Sequence, residues 1–375
     1  MNKCRRFAFL CSATALLFIA RNLPAQSSPQ TFPVPTNIQQ LSDAVTPREY
    51  EAVAAAIEAE MKKPAVQQEV EQGPGLGPLE WIRVDRIALG SLGEGVVAEF
   101  NHSPACGTGG CPMWVFVHHG DAYRSVIRGG GWSFATVPSG GSVPDIVLYW
   151  QMGAEETDVA RYRYRDGKFV SVEAKPKKCM GEEARGACAG RNSSRAVNGI
   201  SLAEYKSLWE EMKSARQGLR VSSWETFSEE AHAIEWGLVN DTTAVIAGLG
   251  ACTREKDCGI SVYGCKQSYA ADSNLPKCEY WPMLQSVRGW GAAMRWDDKD
   301  AFAPRTTLIV ARRKSPSEIE LHRYAAVTKG AGPVPGTTLK PDGCEVLTSK
   351  TRVVPKEWKA SSFLVHPIDC TGTEF

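Results

Sequence analysis

Along this chain a stretch of helix formers gives way to short apolar segments punctuated by glycine, and the same change then happens again. Thr46-Pro-Arg-Glu49 predicts a helix start. Threonine can cap, proline suits the first turn, and the glutamate three residues on can close a capping box. The run YEAVAAAIEAEMKK continues the helix to Pro64, and Gly73 to Gly77 breaks the pattern. From Trp81 the segments WIRVDRIAL, GVVAEF, PMWVFVHH, YRSVI and DIVLYW read as strands. VARYRY and KFVSV flank Asp166-Gly167, a two-residue link that favours a hairpin with Tyr164 opposite Phe169. Residues 175–200 have loop character. Ser201-Leu-Ala-Glu204-Tyr205 then opens a second helix with the same capping box, running to about Gln217. TTAVIAGL, GISVYG, TTLIVARR and EIELHRYAAV predict further strands, and a tail from Gly330 is rich in glycine and proline.

The two series correspond. Thr46-Pro-Arg-Glu-Tyr50 matches Ser201-Leu-Ala-Glu-Tyr205. Cys106, Cys111 and Met113-Trp-Val-Phe116 match Cys252, Cys258 and Ile260-Ser-Val-Tyr263. Ile146-Val-Leu148 with Arg161-Tyr162 matches Leu308-Ile-Val310 with Arg323-Tyr324. Thr46 and Ser201 are 155 residues apart, Cys106 and Cys252 are 146 apart, and Arg161 and Arg323 are 162 apart. The late growth falls where Cys265 to Cys278 has no counterpart in the first series, which reads as an inserted, disulfide-closed loop. The expected fold is α+β: two tandem modules, each a helix plus an antiparallel β-sheet stapled by disulfides. One sheet face would lie on the helix and the other would be wet. The expected division is a signal peptide over 1–25, a linker over 26–45, modules over 46–198 and 199–330, and a disulfide-closed tail over 331–375. Two unrelated α+β domains of similar β texture are the alternative.

The compartment narrows the chemistry. Lys3, Arg5 and Arg6 precede an uncharged apolar run, Phe7 to Ala20, and Leu23-Pro-Ala25 offers a small residue for cleavage. That is the layout of a secretory signal, and the run is short for a membrane span. Cys11 lies inside the apolar run, whereas a lipid-bearing cysteine would follow it. The expectation is a periplasmic or secreted product with no membrane span in the mature chain. A net charge of +1 with 23% charged residues argues against a dedicated nucleic-acid binder. Beyond the signal, ten cysteines remain: Cys106, Cys111, Cys179, Cys188, Cys252, Cys258, Cys265, Cys278, Cys344 and Cys370. An even number in an exported chain predicts disulfides, and pairing each with its neighbour in that order is the simplest connectivity.

Cys106-Gly-Thr-Gly-Gly-Cys111 could in principle hold a metal or serve as a redox pair. A structural zinc site takes four ligands, usually as two close pairs, and a thioredoxin-like pair is spaced by two residues. Here the second cysteine leads into Pro112 and an apolar strand, and the glycines allow a tight turn. A disulfide staple fits best, with no metal or cofactor expected. This turn, the strand Met113-Trp-Val-Phe116, Asp145-Ile-Val-Leu148, Glu156 and the hairpin Arg161-Tyr-Arg-Tyr-Arg-Asp-Gly-Lys-Phe169 together resemble an uncharacterised secreted bacterial domain. The resemblance covers roughly residues 80–180 and implies no activity. Some relatives carry an Asp-rich turn before the first cysteine, similar to a calcium loop. Here that place reads Gly90-Ser-Leu-Gly-Glu-Gly95, and one acid does not make a calcium cage.

Candidate chemistry is sparse. His118 and His119 are adjacent on a strand and so point to opposite faces, although His119 and Asp121 could share one. The plainer reading is two polar residues at a strand end. HExxH, GxSxG, SxxK and phosphate-binding glycine loops are all missing from the sequence. Glu155, Glu156 and Asp158, and also Asp297, Asp298 and Asp300, read as solvated acidic turns. Residues 161–195 hold ten Lys/Arg against four Asp/Glu, with Arg161 and Arg163 on a strand face opposite Tyr162 and Tyr164. Trp132 (RGGGWSF) and Trp290 (RGWGAA) are each framed by an arginine and glycines, which suits an exposed anchor for a sugar or protein. The expected function is an exported, non-catalytic binding protein whose partner is a protein or a cell-envelope polymer. Trp132, Trp290, Arg161, Arg163 and His119 are the candidate contacts. A secreted enzyme inhibitor and a hydrolase using His118 or His119 are the alternatives.

Overall fold

A computed structural model describes residues 38–64, 66, 78–100, 106–107, 110–120, 122–151, 156–172, 177–178, 197, 199–214, 223–239, 242–250, 256–269, 276–297, 305–315, 318–328, 337–348 and 364–368. The described chain enters through a short strand, β1 (Gln39–Gln40), and a 3-10 turn at Leu41–Asp43. Both predicted capping boxes form. The Glu49 N–H donates to Thr46 Oγ1 at 3.3 Å, and the Thr46 N–H donates to Glu49 Oε2 at 2.9 Å, opening α1 (Pro47–Met61). Ser201 and Glu204 make the same exchange at 3.2 and 2.6 Å, opening α2 (Leu202–Ser214). Each box satisfies two helix-end donors that have no partner within the helix. A third helix, α3 (Trp224–Glu230), was not anticipated; Ser223 caps it.

The fold is β-rich, with four antiparallel sheets and few helices. α1 lies on a sheet of order β2 (Arg83–Ala88), β3 (Glu94–Glu99), β4 (Cys111–His119) and β5 (Ala122–Gly131). Period-two alternation gives this sheet two apolar faces. Val96, Ala98 and Phe116 meet Tyr50, Val53 and Ile57 of the helix. Val97 and Val115 point the other way, into a core shared with Phe134, Ile146 and Leu148. Those three belong to a second sheet, of β6 (Ser133–Val137), β7 (Asp145–Gln151) and β8 (Glu156–Arg165), where β9 (Lys168–Val172) and β10 (Lys177–Lys178) both pair with β8. The face expected to be wet is therefore covered by another sheet. α2 lies likewise on β11 (His232–Val239), β12 (Thr242–Leu249), β13 (Cys258–Tyr269) and β14 (Pro276–Gly289). The chain then enters β15 (Gly291–Asp297), β16 (Arg305–Ser315), β17 (Glu318–Thr328), β18 (Thr337–Thr348) and β19 (Leu364–Ile368). With β1 on the β15 edge these make a six-stranded sheet.

One residue joins each helix-bearing sheet to the next: Trp132 between β5 and β6, and Trp290 between β14 and β15. The Trp132 N–H donates to Tyr149 O at 2.8 Å, and the Trp290 N–H donates to Ala311 O at 2.9 Å. These corners demand glycine. A Cβ on Gly131 would sit 2.7 Å from the Tyr149 carbonyl oxygen, a backbone atom that cannot step aside alone. Gly131→Ala is expected to cost about 1–3 kcal/mol, the usual range for overpacking. A urea titration checks this against Gly107→Ala, whose new Cβ meets nothing within 4 Å. Equal midpoints would contradict the corner account.

Several sequence expectations need correction. The linker over 26–45 does not hold at its end, because Gln39 and Gln40 pair with Ala292 and Gly291, and Leu41 is 0% exposed in a core cluster. The Cys265–Cys278 insertion is not a loop throughout. β13 and β14 extend into it as a ladder, with Tyr269 opposite Pro276, and the disulfide ties the two strands across a Cα separation of 5.4 Å. The glycine- and proline-rich tail from 331 supplies β18 and β19. Cys106–Cys111 is bonded as expected, with Cα atoms 4.1 Å apart, and Cys258 is disulfide-bonded. Cys344 lies on β18 opposite His322. Cys179, Cys188, Cys252 and Cys370 lie outside the described residues, as do the signal segment and most of the 175–200 loop.

Candidate functional site

The Asp-Gly hairpin forms in the expected register. Asp166 and Gly167 both take positive φ, 50° and 79°, as a tight hairpin turn requires. Tyr164 faces Phe169 with ring centroids 5.2 Å apart. This register decides what β8 presents. Tyr162 turns toward the inter-sheet core, while Val159, Arg161 and Arg163 occupy the other face. On that outer face Arg161 stands opposite Val147, and Val159 opposite Tyr149. Tyr149 in turn stands opposite Ser133, the residue after Trp132.

Trp132 is 39% exposed, the one large hydrophobic side chain so exposed among the described residues. Its ring lies 6.4 Å from that of Tyr149. Farther along the same face, Arg161 and Arg163 converge on Asp145, whose carboxylate is 0% exposed. Arg163 Nη2 reaches Asp145 Oδ2 at 2.8 Å, and Arg161 binds the same oxygen. Burial pushes the Asp145 carboxyl up, but the hydrogen bonds and charges of Arg163 and Arg161 outweigh it and hold the group below its ordinary range. A guanidinium carries five N–H donors and a carboxylate about four acceptor sites. Two arginines on one carboxylate therefore keep donors to spare, and both side chains remain about one-third exposed. The face so assembled offers the Trp132 ring, the partly exposed Val159 and fixed positive donors, above a buried layer of Ala135, Val147 and Tyr149.

Of the sequence candidates, Trp132, Arg161 and Arg163 meet on this sheet. Trp290 does not behave as an exposed anchor: it is 2% exposed, and its carbonyl accepts the Leu41 N–H at 3.2 Å. β1 pairs with β15 directly after it. His118 and His119 are exposed at the end of β4, and His118 packs edge-on to Tyr123 at 5.2 Å. Asp121, the acid considered with them, lies outside the described residues. Sequence reasoning missed Asp145 and Tyr149 as members of the site. The alternation of Arg161 and Arg163 was the available signal for a buried counter-charge on the next strand.

A second polar assembly lies between the starts of the two long helices. Arg83 on β2 pairs with Glu204 at 3.3 Å and with Glu235 of β11, and stands opposite Glu99 on β3. Arg86 pairs with the capping residue Glu49 at 2.7 Å. The Tyr205 hydroxyl donates to Val45 O at 2.6 Å and accepts the Ala233 N–H at 3.0 Å. A crevice beside it, lined by Val45, Val84, Asp85, Ile200, Tyr205 and Ala233, has room for roughly one water. This assembly ties elements together and is too closed to take a ligand. Comparison with protein-family models, with curated proteins and with solved structures finds no match to this chain.

Proposed function

We propose that this chain is an exported, non-catalytic binding protein built by tandem duplication. Its working surface is the outer face of the five-stranded sheet around Trp132, and its ligand is a protein or a cell-envelope polymer. The observation that carries the reading is Trp132: a large aromatic side chain, 39% exposed, standing beside Tyr149 on the face that also holds Arg161 and Arg163. Exposed aromatics next to fixed arginines are the residue types that dominate binding surfaces.

Register supports the duplication. Cys111 stands opposite Gly131 and Cys258 opposite Gly289, each glycine directly preceding a corner tryptophan. Ile146 stands opposite Tyr162 and Leu308 opposite Tyr324. Val147 stands opposite Arg161 and Ile309 opposite Arg323. In this reading residues 46–198 and 199–330 are the repeated units, and the C-terminal strands extend the second. Export is supported by the disulfides, which persist in oxidising compartments. No helix among the described residues is long and apolar enough to cross a membrane.

Binding of the mature chain to peptidoglycan, lipopolysaccharide and an envelope-protein extract tests the proposal. Trp132→Ala is expected to weaken the positive interaction at least about tenfold with the fold intact. Unchanged affinity removes this face from the account.

A further inference from the structure

The corner that holds Trp290 carries a different chemistry from the corner that holds Trp132. Lys256 and Asp257 directly precede Cys258, and Cys258 stands opposite Gly289. Arg288 precedes that glycine and is exposed, as is Lys256. The Trp290 N–H on Ala311 O draws β16 to the same point, where Arg312 and Arg313 follow. Asp257 Oδ1 accepts the Arg313 N–H at 3.3 Å, and Arg312, Arg288 and Arg313 all act on its charge. Neither Arg288 nor Arg312 has an ion pair within 4.0 Å among the described residues. Glu320 stands opposite Arg312 on β17, but lies 3.4 Å from His322. Among the described residues, Lys256, Arg288, Arg312 and Arg313 thus gather at this corner with two carboxylates, Asp257 and Glu320.

The fold does not require these charges. Counting from the matched registers, the first corner has Gly110, Gly130, Trp150 and Gln151 where the second has Asp257, Arg288, Arg312 and Arg313. The same backbone geometry is made there without a cation. Grouping like charges costs energy through mutual repulsion, which an incoming anion relieves. We propose that Lys256, Arg288, Arg312 and Arg313 form an anion-binding corner for the phosphate groups of a polymer. Guanidinium groups grip such oxygens in pairs, and Asp257 holds the β16 backbone in place by accepting the Arg313 N–H.

The test uses the mature full chain and inorganic polyphosphate as the probe, followed over a range of salt. Wild type is expected to bind with affinity that falls steeply as salt rises, because each phosphate contact releases counterions. Arg288→Gln with Arg312→Gln is expected to weaken binding at least about tenfold and to flatten the salt slope by about 1–2. Arg288→Gln alone, at an exposed position, guards against a folding defect and is expected to give about threefold. Arg124→Gln, an exposed arginine on β5, is expected to leave binding unchanged. Absence of salt-dependent binding by wild type, equal affinity in the double variant, or an equal loss in Arg124→Gln would each overturn the proposal. The Trp132 face shares no residue with this corner, so its fate is decided separately.

Discussion

Replacing Arg83 with leucine is expected to remove about 3–5 kcal/mol of stability, the range for stripping one partner from a buried ion pair. The Arg83 side chain is 11% exposed and faces Glu204, 5% exposed, and Glu235, 18% exposed. Glu204 is also the carboxylate of the α2 capping box. One guanidinium thus links β2, β11 and the start of α2. Without it, buried carboxylates face one another with no counter-charge, and both strands lose their tie to the helix. Burying ions is itself expensive, so the loss measures the orphaned partners rather than the worth of the assembly. The triple variant Arg83→Leu, Glu204→Gln, Glu235→Leu, which removes the charges and keeps the capping-box acceptor, should therefore recover much of what the single variant loses. Guanidinium denaturation of the three proteins checks both statements. A single variant within about 1 kcal/mol of wild type would contradict them.

Stability is also expected to fall as pH rises from about 4.5 to above 7, with Glu99 the largest source. Burial pushes the Glu99 carboxyl up to about 7, against the pull of Arg83. The folded state therefore holds this proton more tightly than the unfolded chain does. The benefit is complete below the ordinary carboxylate range and is lost as pH climbs through 7. A difference of that size corresponds to about 3 kcal/mol. Glu235, raised by burial against the attraction of Arg83, acts in the same direction. His232 acts in the opposite one: burial lowers it, so its contribution is present above about 6.5 and erodes as pH falls. The difference between wild type and Glu99→Gln isolates the glutamate. The variant should match wild type below about pH 4 and exceed it by about 3 kcal/mol at pH 9. Parallel curves across that range would show that Glu99 does not carry the proton.

The local elements of this fold were legible because local chemistry makes them. Thr46 with Glu49, and Ser201 with Glu204, cap their helices from within four residues. Asp166-Gly167 sets its hairpin by backbone preference alone. What escaped the sequence depends on distant partners. Trp132 and Trp290 share the same frame of arginine and glycine and occupy the same kind of corner. They differ in that Leu41 and β1, some 250 residues away in sequence, bond to the backbone of the second corner and its following strand. The proline-rich entry read as a linker for the same reason, since pairing with β15 is invisible from its composition. β14 contains Pro276 and Pro282 and is not among the strands the sequence predicts, yet a disulfide and a long ladder with β13 hold it extended. Asp145 looked like an ordinary strand start, and only the register of β7 on β8 puts Arg161 and Arg163 around it.

The most direct test of the account is iodide quenching of tryptophan fluorescence in the mature chain, with and without the ligand that the binding panel identifies. Trp132→Phe should lower the quenchable signal of the free protein, and in wild type the ligand should abolish that share of the quenching as it binds. If Trp132 stays equally open to iodide in the saturated complex, the working surface lies elsewhere and the proposed function is wrong.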